Sequence, residues 1–228
     1  APVGRLVIPD EYDDRQIAAC LAVFLDEWAD QNLWLVSCRA AKNRPDRARA
    51  LIEIGFEAIE TLVTLSHPLD QISDMKPSQA INVMKARPED VSVCTDIARH
   101  GFHSDRYHMD PRIDDFKADE LKASWVHNSM TGRADAALVV LQENMARGFV
   151  VCMFDGETAT IDLIAVASSA RGAGLGKQLV KGALDHYGDR AQKMSVGTQD
   201  TNAASIALYQ GFGFREIEQH ITFHWINP

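Results

Sequence analysis

The chain has 228 residues, 46% of them hydrophobic, and a formal net charge of -9. That length and apolar content suit one large domain or two small ones with a real core. The acidic balance excludes nucleic acid and an anionic membrane as main partners, because both would be repelled at long range.

Cys20, Cys38, Cys94 and Cys152 lie far apart with no Cys-x-x-Cys pair, so neither a zinc knuckle nor a dense disulfide framework is indicated. Reduced thiols in a cytoplasmic protein are expected. No N-terminal stretch has the order of a signal peptide, and no window reaches the roughly 18 apolar residues that a membrane span needs. A soluble, intracellular protein is expected.

In chain order, Ile17, Leu21, Phe24, Leu25 and Trp28 recur at helical spacing and predict a helix over 14–31. The apolar run 34–38 predicts a strand. Helix formers from Pro45 to Ile54 end at Gly55, after which 56–65 alternates like a strand. The stretch from His67 to Pro77, with Asp70, Ser73 and Asp74, predicts a linker. Beyond it, a strand is predicted over 80–86, a helix starting at Pro88, Glu89 and Asp90, and a second helix over 118–130. Strands are then predicted near 137–141, 149–154 and 158–166. A helix over 174–187, a strand over 193–198, a helix over 203–210 and a strand over 214–225 complete the chain. This mixture predicts an α/β or α+β fold: a small N-terminal α/β half-domain with its linker over 1–77, then a second domain over 78–228.

The two parts carry a faint echo. Residues 34–65 read strand, loop with Asn43, helix, Gly55-Phe56 and strand with Glu60; residues 193–223 read strand, loop with Asn202, helix, Gly213-Phe214 and strand with Glu218. A glycine after a helix permits a left-handed cap, and the phenylalanine then re-enters the core. Either this is how helices commonly turn back into strands, or the N-terminal part is a degenerate half-domain that lost a ligand loop.

The ligand loop itself follows the strand over 161–166, where Arg171, Gly172, Ala173, Gly174, Leu175, Gly176 and Lys177 open a helix. Bare glycines let backbone N–H groups converge on an anion, and the helix N-terminus adds its dipole, so a phosphate site is predicted. A Walker loop would need glycine where Arg171 stands and a hydroxyl where Gln178 stands. A dinucleotide fingerprint fails on the spacing of Gly172, Gly174 and Gly176. The pattern that fits is Arg/Gln-x-x-Gly-x-Gly/Ala, through Arg171, Gly174 and Gly176. Downstream, Asn202, Ser205, Tyr209, Gly213 and Phe214 match Asn-x-x-Ala/Ser-x-x-x-Tyr-x-x-x-Gly-Phe.

Together these segments resemble the two cofactor motifs of the Gcn5-related N-acetyltransferase (GNAT) superfamily. The resemblance implies a mixed, splayed central sheet and acetyl-CoA as donor. It implies that the loop from Arg171 to Lys177 grips the pyrophosphate and that pantetheine pairs with the free edge of Leu163, Ile164, Ala165 and Val166. Asn202 and Ser205 would line the same cleft, and Tyr209 would protonate the departing thiolate. Asn202 also suits a helix N-cap, which is compatible with that role. Glu157, Asp162, His103 and His224 are open candidates for a general base.

Between the first two helices of the second domain lie Phe102, His103, Arg106 and Tyr107, then Trp125 and Asn128. His100, His103 and His108 with Asp105 and Asp110 match no standard ligand template, so no metal is expected. Aromatic rings and arginine suit a planar base and a diphosphate. This segment resembles the superfamily members that acetylate the 4-amine of a dTDP-linked amino-dideoxy sugar for surface polysaccharide. That resemblance implies a nucleotide-linked amino sugar as acceptor and a homodimer. Other GNAT acceptors, namely a protein N-terminus, an amino acid or a polyamine, remain open, as does a non-catalytic acetyl-CoA-binding module.

Overall fold

Local signals set the order of elements in the computed structural model, which describes residues 3–9, 11–12, 14–31, 33–70 and 83–227. The elements are β1 (Val3–Leu6), α1 (Asp14–Asp30), β2 (Leu35–Ala41), α2 (Pro45–Glu53), β3 (Glu57–Pro68), β4 (Val83–Lys85), α3 (Asp90–Arg99) and α4 (Asp115–Asn128). They continue with β5 (Ala136–Gln142), β6 (Met145–Phe154), β7 (Thr158–Val166), α5 (Leu175–Tyr187), β8 (Lys193–Gln199), α6 (Ala203–Gln210) and β9 (Arg215–Ile226). The mixed α/β class is as predicted. Proline at the first position of α2 and glycine after it frame that helix because neither position needs a partner that the residue lacks.

The compact units do not divide at the expected boundary of 77/78. One contains 1–63 and 218–228, the other 64–217. The strand β3 begins in the first and ends in the second, while β9 does the reverse. The predicted linker starts later than expected, since β3 runs to Pro68 and Leu69 N–H donates to the Gln192 carbonyl at 2.9 Å. The rest of that linker, 71–77, and the start of the predicted strand at 80 lie outside the described residues.

In the first unit, β1 runs parallel to β2 and β2 antiparallel to β9, with β3 beside β9. Ile17, Leu21 and Trp28 of α1 are buried with Leu51, Phe56, Phe223 and Trp225. Phe24 stacks on Trp28 at 5.8 Å; the side chain of Leu25 is outside the described set. In the second unit the order is β3, β8, β7, β6, β5, β4, antiparallel from β4 to β7 and parallel between β7 and β8. Phe149 and Val151 pack with Cys94, Ile97 and Val126 of α3 and α4. A Cβ on Gly148 would meet Leu179 of α5 at 3.1 Å, so α5 covers the opposite face, as strand alternation requires.

The echo is present in the backbone. Residues Val3–Leu6 of β1 pair with Leu35–Cys38 as Thr158–Ile161 of β7 pair with Lys193–Val196. Gly55 and Gly213 both take left-handed conformations (φ 92° and 85°) before buried Phe56 and Phe214. Phe56 N–H donates to Leu51 and Phe214 N–H to Tyr209, so a leucine holds the position of the tyrosine. The connection from β1 to α1 carries no glycine. Arg47, where α6 has Ser205, instead donates from Nη1 and Nη2 to the carbonyls of Ile8 (3.3 Å) and Pro9 (2.9 Å). An arginine thus pins the connection that in the second unit is an open glycine loop.

Candidate active site

The site begins where β7 and β8 part. Their pairing covers Thr158–Ile161 and Lys193–Val196 only. At the next residue the register of β7 against β6 shifts: Cys152 faces Ile161 and Val151 faces Leu163, leaving Asp162 unmatched. An extra residue bends a strand and raises its twist. The bulge at Asp162 therefore gives the physical reason that Leu163, Ile164, Ala165 and Val166 keep β6 on one edge and lose β8 on the other. Glu157 precedes the paired end of β7, away from this opening, which counts against it as a base. His224 is buried in the first unit.

Past Val166, a 3₁₀ turn (Ser168–Ala170) leads to Arg171 in extended conformation and then to Gly172 and Gly174, at φ 81° and 76°. Gly174 is the left-handed N-cap of α5. A Cβ on Gly172 or Gly174 would meet nothing within 4 Å, so the glycines serve backbone conformation and leave open space above them. The N–H groups from Gly172 to Lys177 make no hydrogen bond among the described residues. Such converging donors at a helix start, with exposed Arg171 and Lys177 beside them, fit a pyrophosphate. Valine at Gly174 would be forced into a left-handed conformation costing about 1–2 kcal/mol. We therefore expect Gly174→Val to weaken acetyl-CoA binding roughly tenfold, read by titration calorimetry, with the circular dichroism spectrum retained. An unchanged Kd would remove this loop from the site.

The helix α6 forms the other wall. A Cβ on Gly176 would lie 3.6 Å from Leu208, which brings the start of α5 against α6. Asn202 caps α6 by accepting from Ser205 N–H at 3.2 Å. Tyr209 is only 2% exposed, its ring tilted on Phe214 at 5.7 Å, and its hydroxyl has no hydrogen-bond partner among the described residues. Burial, helped by the neighbouring Cys152, pushes its acidity well below that of an ordinary phenol. Burial also raises the Cys152 thiol to about 12, so the neighbour stays a neutral thiol.

The segment expected to meet the acceptor folds around a lysine that the motifs did not reveal. Lys122 is 5% exposed. Its Nζ lies 5.2 Å from the Phe102 ring, 5.6 Å from Tyr107 and 5.2 Å from Trp125, and 3.5 Å from Asp105. Burial works against the Asp105 charge, yet Lys122, the Tyr107 N–H and His108 together hold its carboxyl below the usual range. His108 spans Asp105 (2.7 Å) and Asp119 (3.1 Å). Arg106 donates to the Tyr107 hydroxyl at 2.8 Å and lies over that ring. Three expected acceptor residues, Phe102, Tyr107 and Trp125, thus converge on Lys122, and Arg106 joins through Tyr107. His103 is exposed with its ring 6.0 Å from His108, and Asn128 is exposed at the end of α4, so neither is tied to this cluster by a hydrogen bond. The i,i+3 spacing of Lys122 and Trp125 was the available signal, since it places both on one helix face.

Trp125 connects this cluster to the opening in the sheet. Its Nε1 donates to Asp162 at 2.8 Å, and Arg133 lies over the same indole at 5.3 Å and pairs with Asp162 at 3.5 Å. Of the four candidate bases, Asp162 is the one seated at the bulge. The arrangement brings together a glycine loop with unused N–H donors, a strand edge that β8 has left, a neutral buried phenol and a carboxylate beside the Trp125 indole.

The Acetyltransferase (GNAT) family matches residues 100–214, all within the second unit. Among curated proteins, the chain is 25% identical over 178 residues to dTDP-fucosamine acetyltransferase of Escherichia coli O6:H1, covering 76% of this chain and 74% of that one. It is 25% identical over 138 residues to the spore coat polysaccharide biosynthesis protein SpsD of Bacillus subtilis, covering 60% of this chain; the match spans about half, 48%, of SpsD. A solved GCN5-related N-acetyltransferase from Kribbella flavida shares the fold, with a TM-score of 0.68 at 15% identity over 98% of this chain and 82% of that one.

Proposed function

The chain belongs to the GNAT family of acetyl-CoA-dependent N-acetyltransferases, and from that premise we propose that its acceptor is the amine of a nucleotide-linked amino-deoxy sugar, of the dTDP-4-amino-4,6-dideoxyhexose kind. The observation that carries this reading is the bond from Trp125 to Asp162, which joins the aromatic and arginine-rich segment to the bulge where the sheet opens. The similarity to dTDP-fucosamine acetyltransferase and to a polysaccharide biosynthesis protein supports it.

Acetyl-CoA supplies an activated acetyl thioester. The loop from Arg171 to Lys177 binds its pyrophosphate, and the edge from Leu163 to Val166, with Asn202 and Ser205 opposite, orients the pantetheine arm. A backbone N–H near the end of β7 stabilises the oxyanion that forms when an amine attacks the carbonyl. Tyr209 holds its proton through neutral pH and gives it to the departing sulfur. Asp162, partly shielded by Trp125 and Arg133, is placed to take the proton that the amine loses. Phe102, Tyr107 and Trp125 present flat apolar surface to the base and sugar, while Arg106, His103 and Asn128 meet the polar groups. We further propose a cytoplasmic homodimer, in keeping with an activated sugar as substrate; among the described residues no helix is long and apolar enough to cross a membrane.

Coenzyme A release, followed with a thiol-reactive dye, tests the acceptor across dTDP-, UDP- and GDP-linked 4-amino sugars, small amines and peptides. Turnover confined to one nucleotide sugar is the expected result. Release with polyamines, amino acids or peptides alone would overturn the sugar assignment and keep the family chemistry. Silence across the panel despite acetyl-CoA binding would point to a non-catalytic binding module.

A further inference from the structure

A second bulge lies in β6. Where β5 meets β6, Val140 faces Gly148 and Leu141 faces Ala146, so Arg147 is the unmatched residue. Its carbonyl accepts from Ala167 N–H at 2.8 Å, which anchors it to the start of the glycine-rich connection. Arg147 is half-buried, and its guanidinium makes no hydrogen bond or ion pair among the described residues. In this it differs from Arg44, Arg87, Arg99, Arg112 and Arg190, each of which has a carboxylate.

Arg147 lines a cleft of about 290 Å³ together with Val166, Ser168, Ser169, His100 and Asp96. The carboxylate of Asp96 is partly offset there, since Arg99 lies 3.3 Å and His100 3.6 Å from it. A partly desolvated guanidinium with its donors unused is costly unless an acceptor arrives, and its planar fork matches phosphate oxygens in pairs. The two serine hydroxyls add donors at the same wall. The cleft is at the lower end of the roughly 300–1,000 Å³ typical of small-molecule sites, which suits one phosphate group with its attachment and not a whole nucleotide.

We propose that this cleft is an anion subsite separate from the glycine loop, in which Arg147, with Ser168 and Ser169, binds a phosphate group of a substrate. The inference rests on the reading above, because both substrates it assigns carry phosphate beyond the reacting atoms. The source is either the 3′-phosphate of coenzyme A or the diphosphate of the nucleotide-linked acceptor.

The test uses the full chain and its Arg147→Ala and Arg147→Lys variants, titrated with coenzyme A, 3′-dephospho-coenzyme A and dTDP. Among the described residues Arg147 bonds to the fold only through its backbone, so unchanged circular dichroism and Tm are expected for both variants. Loss of a charged hydrogen-bond partner is expected to weaken one ligand about tenfold in the alanine variant, with partial recovery in the lysine variant. Weaker coenzyme A with unchanged dephospho-coenzyme A assigns the 3′-phosphate, whereas weaker dTDP with unchanged coenzyme A assigns the acceptor. Kd values within about twofold for every ligand would overturn the subsite, as would equal weakening of coenzyme A and its dephospho form without effect on dTDP. If the parent chain binds no dTDP, the sugar-nucleotide reading fails by itself, and the coenzyme A pair still decides the subsite.

Discussion

Tyr209→Phe is expected to lower kcat by about 10²–10⁴-fold, the usual contribution of a positioned general acid, and to leave the Kd for acetyl-CoA unchanged. The ring is packed on Phe214 and 2% exposed, so phenylalanine keeps the shape and removes only the hydroxyl. That hydroxyl has no partner among the described residues, and its loss orphans no other buried group there. A purely structural tyrosine would show a near-normal kcat after this change, and a cofactor contact alone would appear as a raised Kd. Because burial raises the phenol above its ordinary value near 10, no loss of kcat from tyrosine ionisation is expected below about pH 10. Steady-state kinetics over pH 6–10, alongside calorimetric titration of acetyl-CoA, reads both quantities. An unaffected kcat would remove Tyr209 from the mechanism.

Lys122→Met is expected to destabilise the fold by about 3–5 kcal/mol near neutral pH, measured by urea unfolding. Methionine keeps the contact with Phe102, Tyr107 and Trp125 but leaves the 8%-exposed Asp105 facing a lost cation. The sign with pH follows from the direction of the Asp105 shift. Its folded pKa lies below the ordinary aspartate value of about 3.9, so the charge of Asp105 stabilises the parent above that value, and the contribution falls away as acid protonates the folded form. The difference between parent and variant should therefore be largest near neutral pH and narrow below about pH 4. A difference under about 1 kcal/mol, as exposed ion pairs give, would show that Lys122 does not carry the cage.

The local structure of the proposed cofactor half was legible in the sequence because its signals are local. The spacing of Arg171, Gly174 and Gly176 describes a loop whose conformation depends on residues within a few positions of each other. The run from Asn202 to Phe214 describes one cap, one helix and one left-handed turn, all of which the structure contains. The acceptor half was legible only as a list of residue types. Phe102, Tyr107 and Trp125 were named, but the lysine that gathers them was not, since a lone lysine on a helix carries no motif. Asp162 was one open candidate among four until its place in the register set it at the bulge.

By itself the sequence determined the element order, the mixed α/β class, the glycine loop and the helix that carries Tyr209, because backbone preference and apolar period act over one turn or one strand. Only the tertiary structure decided that β3 and β9 finish in each other's unit, that β7 parts from β8 at Asp162, and that Arg147 has no side-chain partner among the described residues. Those features depend on which strands pair and in what register. Pairing is settled by burial summed over residues far apart in the chain, and no local pattern records it.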